Sequence, residues 1–415
     1  MCKTLETQGL GKTDEKMDMQ RVCKRKKIGK DGKMGKIVLP LLLSLALTLP
    51  VGAVEPLPED TFTLNCRAAA LIERSTGELI YGKNLHEHLA PASVTKIMTM
   101  LLVAEAVENG SINLSDTVTA SAAAAGMGGS QVYLEEGEQM SVEEMLKCVA
   151  VVSANDCAVA LSEKLCGSEK AFTARMNQRA AELGMHDTVF RNCTGLSGEG
   201  EHYSSAWDIA LMARELLSHS WIRNYTTIWT DSIRGGEFGL SNTNKLVHGY
   251  NGCTGLKTGF TSEAMFCLAA SAEREGTEYI AVILHGDSSA DRFAAARTLL
   301  DYAFANYAVV SLLPETALPP VRVELGTEET VQPVPGGATS VLAEKAQLRE
   351  LELRTELPEQ LEAPVEPGQR LGRITLRRQE EILAELPLLA EKEIPKRGRM
   401  QIWRELLGQL FCATE

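Results

Sequence analysis

No Cys-x-x-Cys pair occurs in the 415 residues although ten cysteines are present, which excludes a zinc ribbon or a thioredoxin-like redox centre. No apolar run reaches the roughly 20 residues that a membrane-spanning helix needs. Internal repeats and low-complexity tracts are missing, so solenoids, collagen-like arrays and wholly disordered chains are set aside. Positive charge is scarce after the first 36 residues. Those carry a net +6 in a chain whose total is -13, so the remaining 379 carry -19. An acidic body is a poor nucleic-acid partner, because neutralising phosphate takes clustered lysine and arginine.

What is present is an ordinary globular balance, 44% hydrophobic and 23% charged, with length enough for two or three domains. The basic start runs directly into the apolar stretch Ile37 to Val54, whose centre is Leu39-Pro40-Leu41-Leu42-Leu43-Ser44-Leu45-Ala46-Leu47. Basic, apolar, then small residues at Val51-Gly52-Ala53 is the order of an export signal, expected over residues 1–53. The alternative is a retained N-terminal anchor. The basic part is long for a signal, and Met34-Gly35-Lys36 would begin one of normal size, so Met34 or Met19 is the expected start. No lipobox-like Leu-Ala-Gly-Cys pattern stands at the cleavage point. Two of the ten cysteines, Cys2 and Cys23, precede the apolar stretch, and most of the other eight lie inside apolar segments, where buried thiols are the usual outcome.

The middle of the chain reads as mixed α/β. Two short apolar runs around Ser75-Thr76-Gly77 predict a hairpin over 66–83. A helix is expected from about Ser93 to Val107, and Ser141-Val142-Glu143-Glu144 is a capping box that opens another. Helical patterns follow at about 155–165, 169–183 and 204–218, with Gly167 and Gly184 as terminators. Strands return at Met265 to Ala272 and Tyr279 to His285, before a helix from about Ala290 to Tyr307. The expected architecture is a sheet covered by helices, over residues 54–309. Residues 313–395 hold ten of the fifteen prolines and short alternations such as Val321-Arg322-Val323-Glu324-Leu325, which predict a small β-sandwich over 310–394. At 395–415, Met400, Trp403, Leu406, Leu407, Leu410 and Phe411 fall on one helical face after Lys396, Arg397 and Arg399, the pattern of an amphipathic helix lying on a membrane surface.

Three short motifs carry chemistry. In Ser93-Val94-Thr95-Lys96, residues three apart at a helix start share a face, so Lys96 can stand beside the Ser93 hydroxyl. A serine is a weak nucleophile without an adjacent base, and a partly buried lysine near other cations can lose its proton and serve as one. Ser153-Ala154-Asn155 offers a hydroxyl to relay a proton and an amide to hold a carbonyl. In Lys257-Thr258-Gly259, expected to lead into a strand, Lys257 supplies fixed positive charge, Thr258 can bond a carboxylate, and Gly259 lets the backbone approach a ligand. The N–H groups of Ser93 and Phe260 are the candidate oxyanion donors. Singly the motifs are common text; their occurrence in this order is the set of β-lactamases and penicillin-binding proteins.

With Pro91-Ala92-Ser93-Val94-Thr95-Lys96-Ile97-Met98-Thr99, Tyr203-Ser204-Ser205-Ala206 and Lys257-Thr258-Gly259-Phe260-Thr261, the chain resembles the low-molecular-weight penicillin-binding D-alanyl-D-alanine carboxypeptidases over roughly residues 62–308. The Pro-rich region and the final helix are similar to that family's C-terminal domain and anchor in architecture. The resemblance implies a β-lactamase/transpeptidase-like fold, no cofactor or metal, and an exported enzyme on the outer face of the cytoplasmic membrane. It implies that Ser93 is acylated, Lys96 accepts the proton, Ser153 assists, and Lys257 binds substrate with Asn155, Thr258, Gly259 and Phe260. The implied partners are peptidoglycan stem peptides ending in D-Ala-D-Ala and, as covalent inhibitors, β-lactams. Thr243 stands where some members have an arginine that holds the substrate carboxylate, and Phe260 where some have histidine.

Rival readings are weaker. A class A β-lactamase needs a water-activating Glu-x-x-x-Asn after the second motif, and none lies between Asn155 and Lys257. His86-Glu87-His88 lacks a third metal ligand. His202 is expected to make a structural hydrogen bond, and Cys157 to pack behind the site.

Overall fold

The structure, a computed structural model, describes residues 54–196 and 200–412; the signal expected over residues 1–53 lies outside the described residues. Five antiparallel strands make the central sheet: β1 (Cys66–Glu73), β2 (Leu79–Lys83), β3 (Cys253–Thr261), β4 (Met265–Arg274) and β5 (Thr277–Gly286), in spatial order β2-β1-β5-β4-β3. The predicted N-terminal hairpin thus joins the later strands through β1 and β5, and β3 is left at the sheet's edge.

Both faces are covered. Ala68, Ala70 and Ile72 of β1 share one core with Ala269, Ile280 and Val282, while Ala69 and Leu71 share the other with Leu268, Ala270, Ala281 and Ile283. That is the period-two alternation of a strand, with apolar residues on both sides, so the strands read as unbroken apolar runs. The first core takes in α1 (Lys96–Glu108), α2 (Val142–Val151), α3 (Asn155–Cys166), α4 (Glu169–Glu182) and α5 (Ala206–Ser218). α1 is buried nearly all round, as expected for a central helix that is apolar on every side. The second core takes in α6 (Ser289–Asn306) through Phe293, Ala296, Leu299 and Leu300.

Local signals explain the boundaries. Ser141 and Glu144 close a complete capping box on α2. Gly167, at φ 76°, ends α3 in the left-handed region that favours glycine. Two expectations need correction. Ser93 belongs not to the α-helix but to a 3₁₀ turn, Ala92–Thr95, that feeds α1. Lys257-Thr258-Gly259 lies within β3 rather than ahead of a strand.

Beyond α6, Tyr307–Ser311 pairs with Ser340–Glu344. The β-rich region that follows holds a three-stranded sheet around Val321–Glu324 and a four-stranded sheet around Arg370–Arg378 and Glu381–Ala390. Its apolar clusters centre on Val323, Val365 and Ile394, and on Ile374, Leu386 and Leu388. The last element is a helix, Arg399–Cys412. Among the described residues no helix is long and apolar enough to cross a membrane. Cys66, Cys148, Cys157, Cys166, Cys193, Cys253 and Cys267 are free thiols, five of them buried.

Candidate active site

A 3₁₀ turn eclipses residues three apart, and so it stacks Lys96 on Ser93. Lys96 Nζ donates to Ser93 Oγ at 3.1 Å, to Asn155 Oδ1 at 2.5 Å and to the Thr194 carbonyl at 2.8 Å. All three acceptors are neutral, and Lys96 is wholly buried. Burial drives its pKa from 10.5 to about 7, with Cys193 and Asp156 pulling weakly the other way. An amine lowered that far is unprotonated near neutral pH far more often than an ordinary lysine, for which the fraction is roughly one in a few thousand.

The turn is braced from below. Thr99 Oγ1 donates to the Cys193 carbonyl at 2.7 Å, and Asn192 Oδ1 accepts from the N–H groups of Thr194 and Gly195. Gly195 must be glycine: its φ is 80°, and a Cβ there would stand 1.8 Å from the Ala92 carbonyl oxygen. Ala92 itself has φ 48°, and Ser153 φ 64°. Left-handed conformations at non-glycine residues cost on the order of 1–3 kcal/mol each and collect at functional sites.

Ser153 and Asn155 join α2 to α3. The Asn155 side chain is fixed at both ends, accepting from Lys96 and donating to the Gly128 carbonyl at 2.7 Å. Next to it, Asp156 accepts from Val132 and Leu134 N–H and pins the loop that flanks the site. Ser153 Oγ is buried with no hydrogen-bond partner among the described residues, an uncommon state for a hydroxyl.

β3 forms the opposite wall. A Cβ on Gly259 would lie 2.8 Å from the Pro91 carbonyl oxygen and 3.1 Å from Ser93 N, so only glycine lets this strand lie against the turn that bears Ser93. Thr258 Oγ1 donates to Thr243 Oγ1 at 2.7 Å, and Phe260 is exposed at the strand end. Lys257 is buried and donates to the Thr258 carbonyl at 2.9 Å. Its pKa is driven well down, by burial first and then by Lys96 and Arg292. Burial and the two neighbouring cations thus both disfavour the charged form of Lys257.

Other candidates resolve locally. His202 Nδ1 accepts from Arg191 N–H and Nε2 bonds Thr95 Oγ1 at 2.9 Å, while burial lowers its pKa to about 4; it is a neutral brace one residue from Lys96. His86 and His88 share the Asp187 carboxylate. Cys157 is buried in the core behind Ser153. Beside the site, a cavity of about 430 Å³ opens between Pro91, Ala92, His202, Tyr203 and Thr261.

Sequence reasoning missed three contributors. The Thr194 carbonyl is main chain and carries no side-chain signature. Thr243 was noted for what it lacks, and its contact with Thr258 was not foreseen. Arg292 donates to the Gly259 carbonyl at 2.9 Å; its signal was a charge on the buried stripe it shares with Ala295, Ala296 and Leu299.

A serine beside a buried lysine of lowered pKa, in a cleft between a helical block and an edge strand, is the arrangement expected of a serine acyltransferase of the penicillin-binding class. The comparisons with known proteins give the particular family. Residues 54–288 match D-alanyl-D-alanine carboxypeptidase, and residues 315–396 match the penicillin-binding protein 5 C-terminal domain. The D-alanyl-D-alanine carboxypeptidase DacF of Bacillus subtilis is 41% identical over 347 residues, 82% of this chain and 89% of the relative. Among solved structures, penicillin-binding protein 5 of Haemophilus influenzae superposes with a TM-score of 0.71 at 26% identity, over 81% of this chain and 99% of that one. Penicillin-binding protein D2 of Listeria monocytogenes in its ampicillin-bound form superposes with a TM-score of 0.54 at 31% identity, over 59% and 98%. The chain belongs to the D-alanyl-D-alanine carboxypeptidase family, and it is a serine-type carboxypeptidase.

Proposed function

We propose that Ser93 is the residue acylated and that Lys96 is its base. The observation that carries this is the 3.1 Å separation of Lys96 Nζ and Ser93 Oγ, at an amine whose pKa burial lowers to about 7, so that once Lys96 loses its proton the Ser93 hydroxyl can donate to it. Lys96 takes the hydroxyl proton as Oγ attacks the carbonyl of the penultimate D-alanine. The oxyanion forms between the N–H groups of Ser93 and Phe260. As the tetrahedral adduct collapses, the proton passes from Lys96 by way of the unpartnered Ser153 hydroxyl to the departing D-alanine nitrogen. Water then attacks the ester, Lys96 takes its proton, and that proton returns to Ser93 Oγ as the acyl bond breaks. The substrate carboxylate lies against Lys257, Thr258 and Thr243, and its negative charge favours the protonated form of Lys257. Asn155 orients Lys96 and the substrate amide. A β-lactam acylates the same serine, but its amine stays tethered after ring opening and the ester persists. Digestion after labelling with radioactive benzylpenicillin should place all label on the peptide that contains Ser93; label on any other peptide would refute the assignment.

Asn155→Ala and Thr258→Val each remove one or two polar contacts. A loss of roughly 10²–10³ in kcat/KM on a D-Ala-D-Ala peptide is expected for each, the scale of one well-placed polar group in a site. Steady-state kinetics check this, and wild-type values in both variants would dissolve the three-motif site.

We also propose that residues 1–53 direct export and are cleaved near Ala53, that residues 54–309 form the catalytic domain and 310–394 a second domain, and that 395–415 hold the enzyme on the outer face of the membrane. Met400, Trp403 and Leu407, exposed at helical spacing on the last helix, support this. Lys396 is engaged by Glu362 at 2.7 Å, so the apolar stripe carries the attachment and charge assists it. Deleting residues 396–415 should move the enzyme from the membrane to the soluble fraction with its activity on small peptides intact. Continued sedimentation with membranes would shift the anchor to an uncleaved N-terminal segment.

A further inference from the structure

The Gly259–Phe260 peptide unit is held from its carbonyl side. Its carbonyl accepts from Arg292 Nη1 at 2.9 Å, and the same nitrogen also donates to the Cys267 carbonyl at 3.1 Å. In a trans peptide the C=O and N–H point in opposite directions. Gly259 and Cys267 are paired across β3 and β4, so a carbonyl turned toward β4 and Arg292 sends the Phe260 N–H the other way. That is toward the free edge of β3, and the turn that bears Ser93 packs against this same stretch, where a Cβ on Gly259 would come within 3.1 Å of Ser93 N. Arg292 is itself immobilised: it is 8% exposed, projects from the first turn of α6, and lies against the rings of Phe266 and Phe293. Phe266 in turn packs on Phe260, with ring centroids 4.5 Å apart.

We infer that Arg292 is a positioning residue for acylation: its guanidinium orients and polarises the Gly259–Phe260 peptide whose N–H faces the nucleophile. A cation on the carbonyl draws electron density through the amide and makes the N–H a stronger donor, as in a hydrogen-bond chain whose members strengthen one another. The contact exists before substrate arrives, so it adds no reorganisation when charge builds on the carbonyl oxygen. It also explains why a charged side chain occupies the buried stripe of α6. The inference rests on the proposal that Ser93 is acylated with Phe260 N–H as an oxyanion donor.

The test uses the purified full-length protein with benzylpenicillin as probe. Gly-Phe occurs once in the sequence, so labelling glycine carbonyls with carbon-13 and phenylalanine nitrogens with nitrogen-15 gives one correlation peak, for this peptide alone. In the wild type the Gly259 carbonyl carbon should resonate downfield of ordinary glycine carbonyls, and the Phe260 amide should shift on acylation. Arg292→Gln should slow acylation by about 10²-fold, on the scale of weakening one oxyanion donor, and Arg292→Lys by less. In both, the noncovalent penicillin dissociation constant should stay close to wild type, and the acyl carbonyl stretch should move to higher wavenumber. A role confined to stability would lower the folded fraction and leave that stretch unmoved. A folded variant that acylates at the wild-type rate with an unmoved stretch overturns the inference. So does an ordinary Gly259 carbonyl shift in the wild type, which needs no variant to fold. Absence of any penicillin adduct on Ser93 of the wild type would instead overturn the underlying proposal.

Discussion

Ser93→Ala should abolish both covalent penicillin labelling and D-alanine release. Residues that act as one unit lose nearly everything when one is removed; in comparable serine enzymes the single loss of the nucleophile costs about 10⁶ in turnover. The fold should not suffer. Ser93 precedes α1 in a 3₁₀ turn whose other residues, Ala92, Val94 and Thr95, are the buried ones. Its oxygen accepts from Lys96, which keeps Asn155 Oδ1 and the Thr194 carbonyl as acceptors. Intact-mass spectrometry after exposure to benzylpenicillin reads the adduct directly, and a thermal melt confirms the fold. An adduct on the alanine variant would move the nucleophile elsewhere.

Lys96→Ala should slow acylation by several orders of magnitude, and Lys96→Arg should not restore it. Arginine keeps the positive charge and the reach, but it stays protonated throughout the working pH range and cannot accept a proton. A structural role for the charge would predict the reverse. The pH profile separates the two further. Because burial brings Lys96 down to about 7, the competent amine form grows as pH rises and is lost as pH falls. The acylation rate should therefore climb through an apparent pKa near 7 and level off above it. A plain lysine would place that rise near 10.4. Near-wild-type acylation by the arginine variant, or a profile flat between pH 5 and 9, would remove Lys96 as the base.

Much of this was legible because the signals were local. The Ser141–Glu144 box, the glycine stops at 167 and 184, and the short unbroken apolar runs of β1, β4 and β5 each report backbone geometry within a few residues. Motif order supplied the rest, since Ser93, Ser153 and Lys257 must converge if they serve one reaction. What stayed hidden depends on contacts between distant segments. Nothing in Asn192-Cys193-Thr194-Gly195 marks the Thr194 carbonyl as a lysine acceptor; it becomes one because Gly195 packs on Ala92. The lowered pKa of Lys257 depends on burial and on Lys96 and Arg292, which α1 and α6 bring beside it. The 3₁₀ turn at Ser93 was read as helix because three-residue spacing aligns side chains in both.

The most direct test couples the two activities in one sample. Purified full-length protein is incubated with increasing benzylpenicillin, the fraction of Ser93 converted to adduct is measured by peptide mass spectrometry, and D-alanine released from diacetyl-Lys-D-Ala-D-Ala is assayed on the same aliquots. Release should fall in proportion to the Ser93 adduct and vanish when it is complete. D-alanine release that persists with every Ser93 acylated, or no release from the unmodified enzyme, would contradict the account.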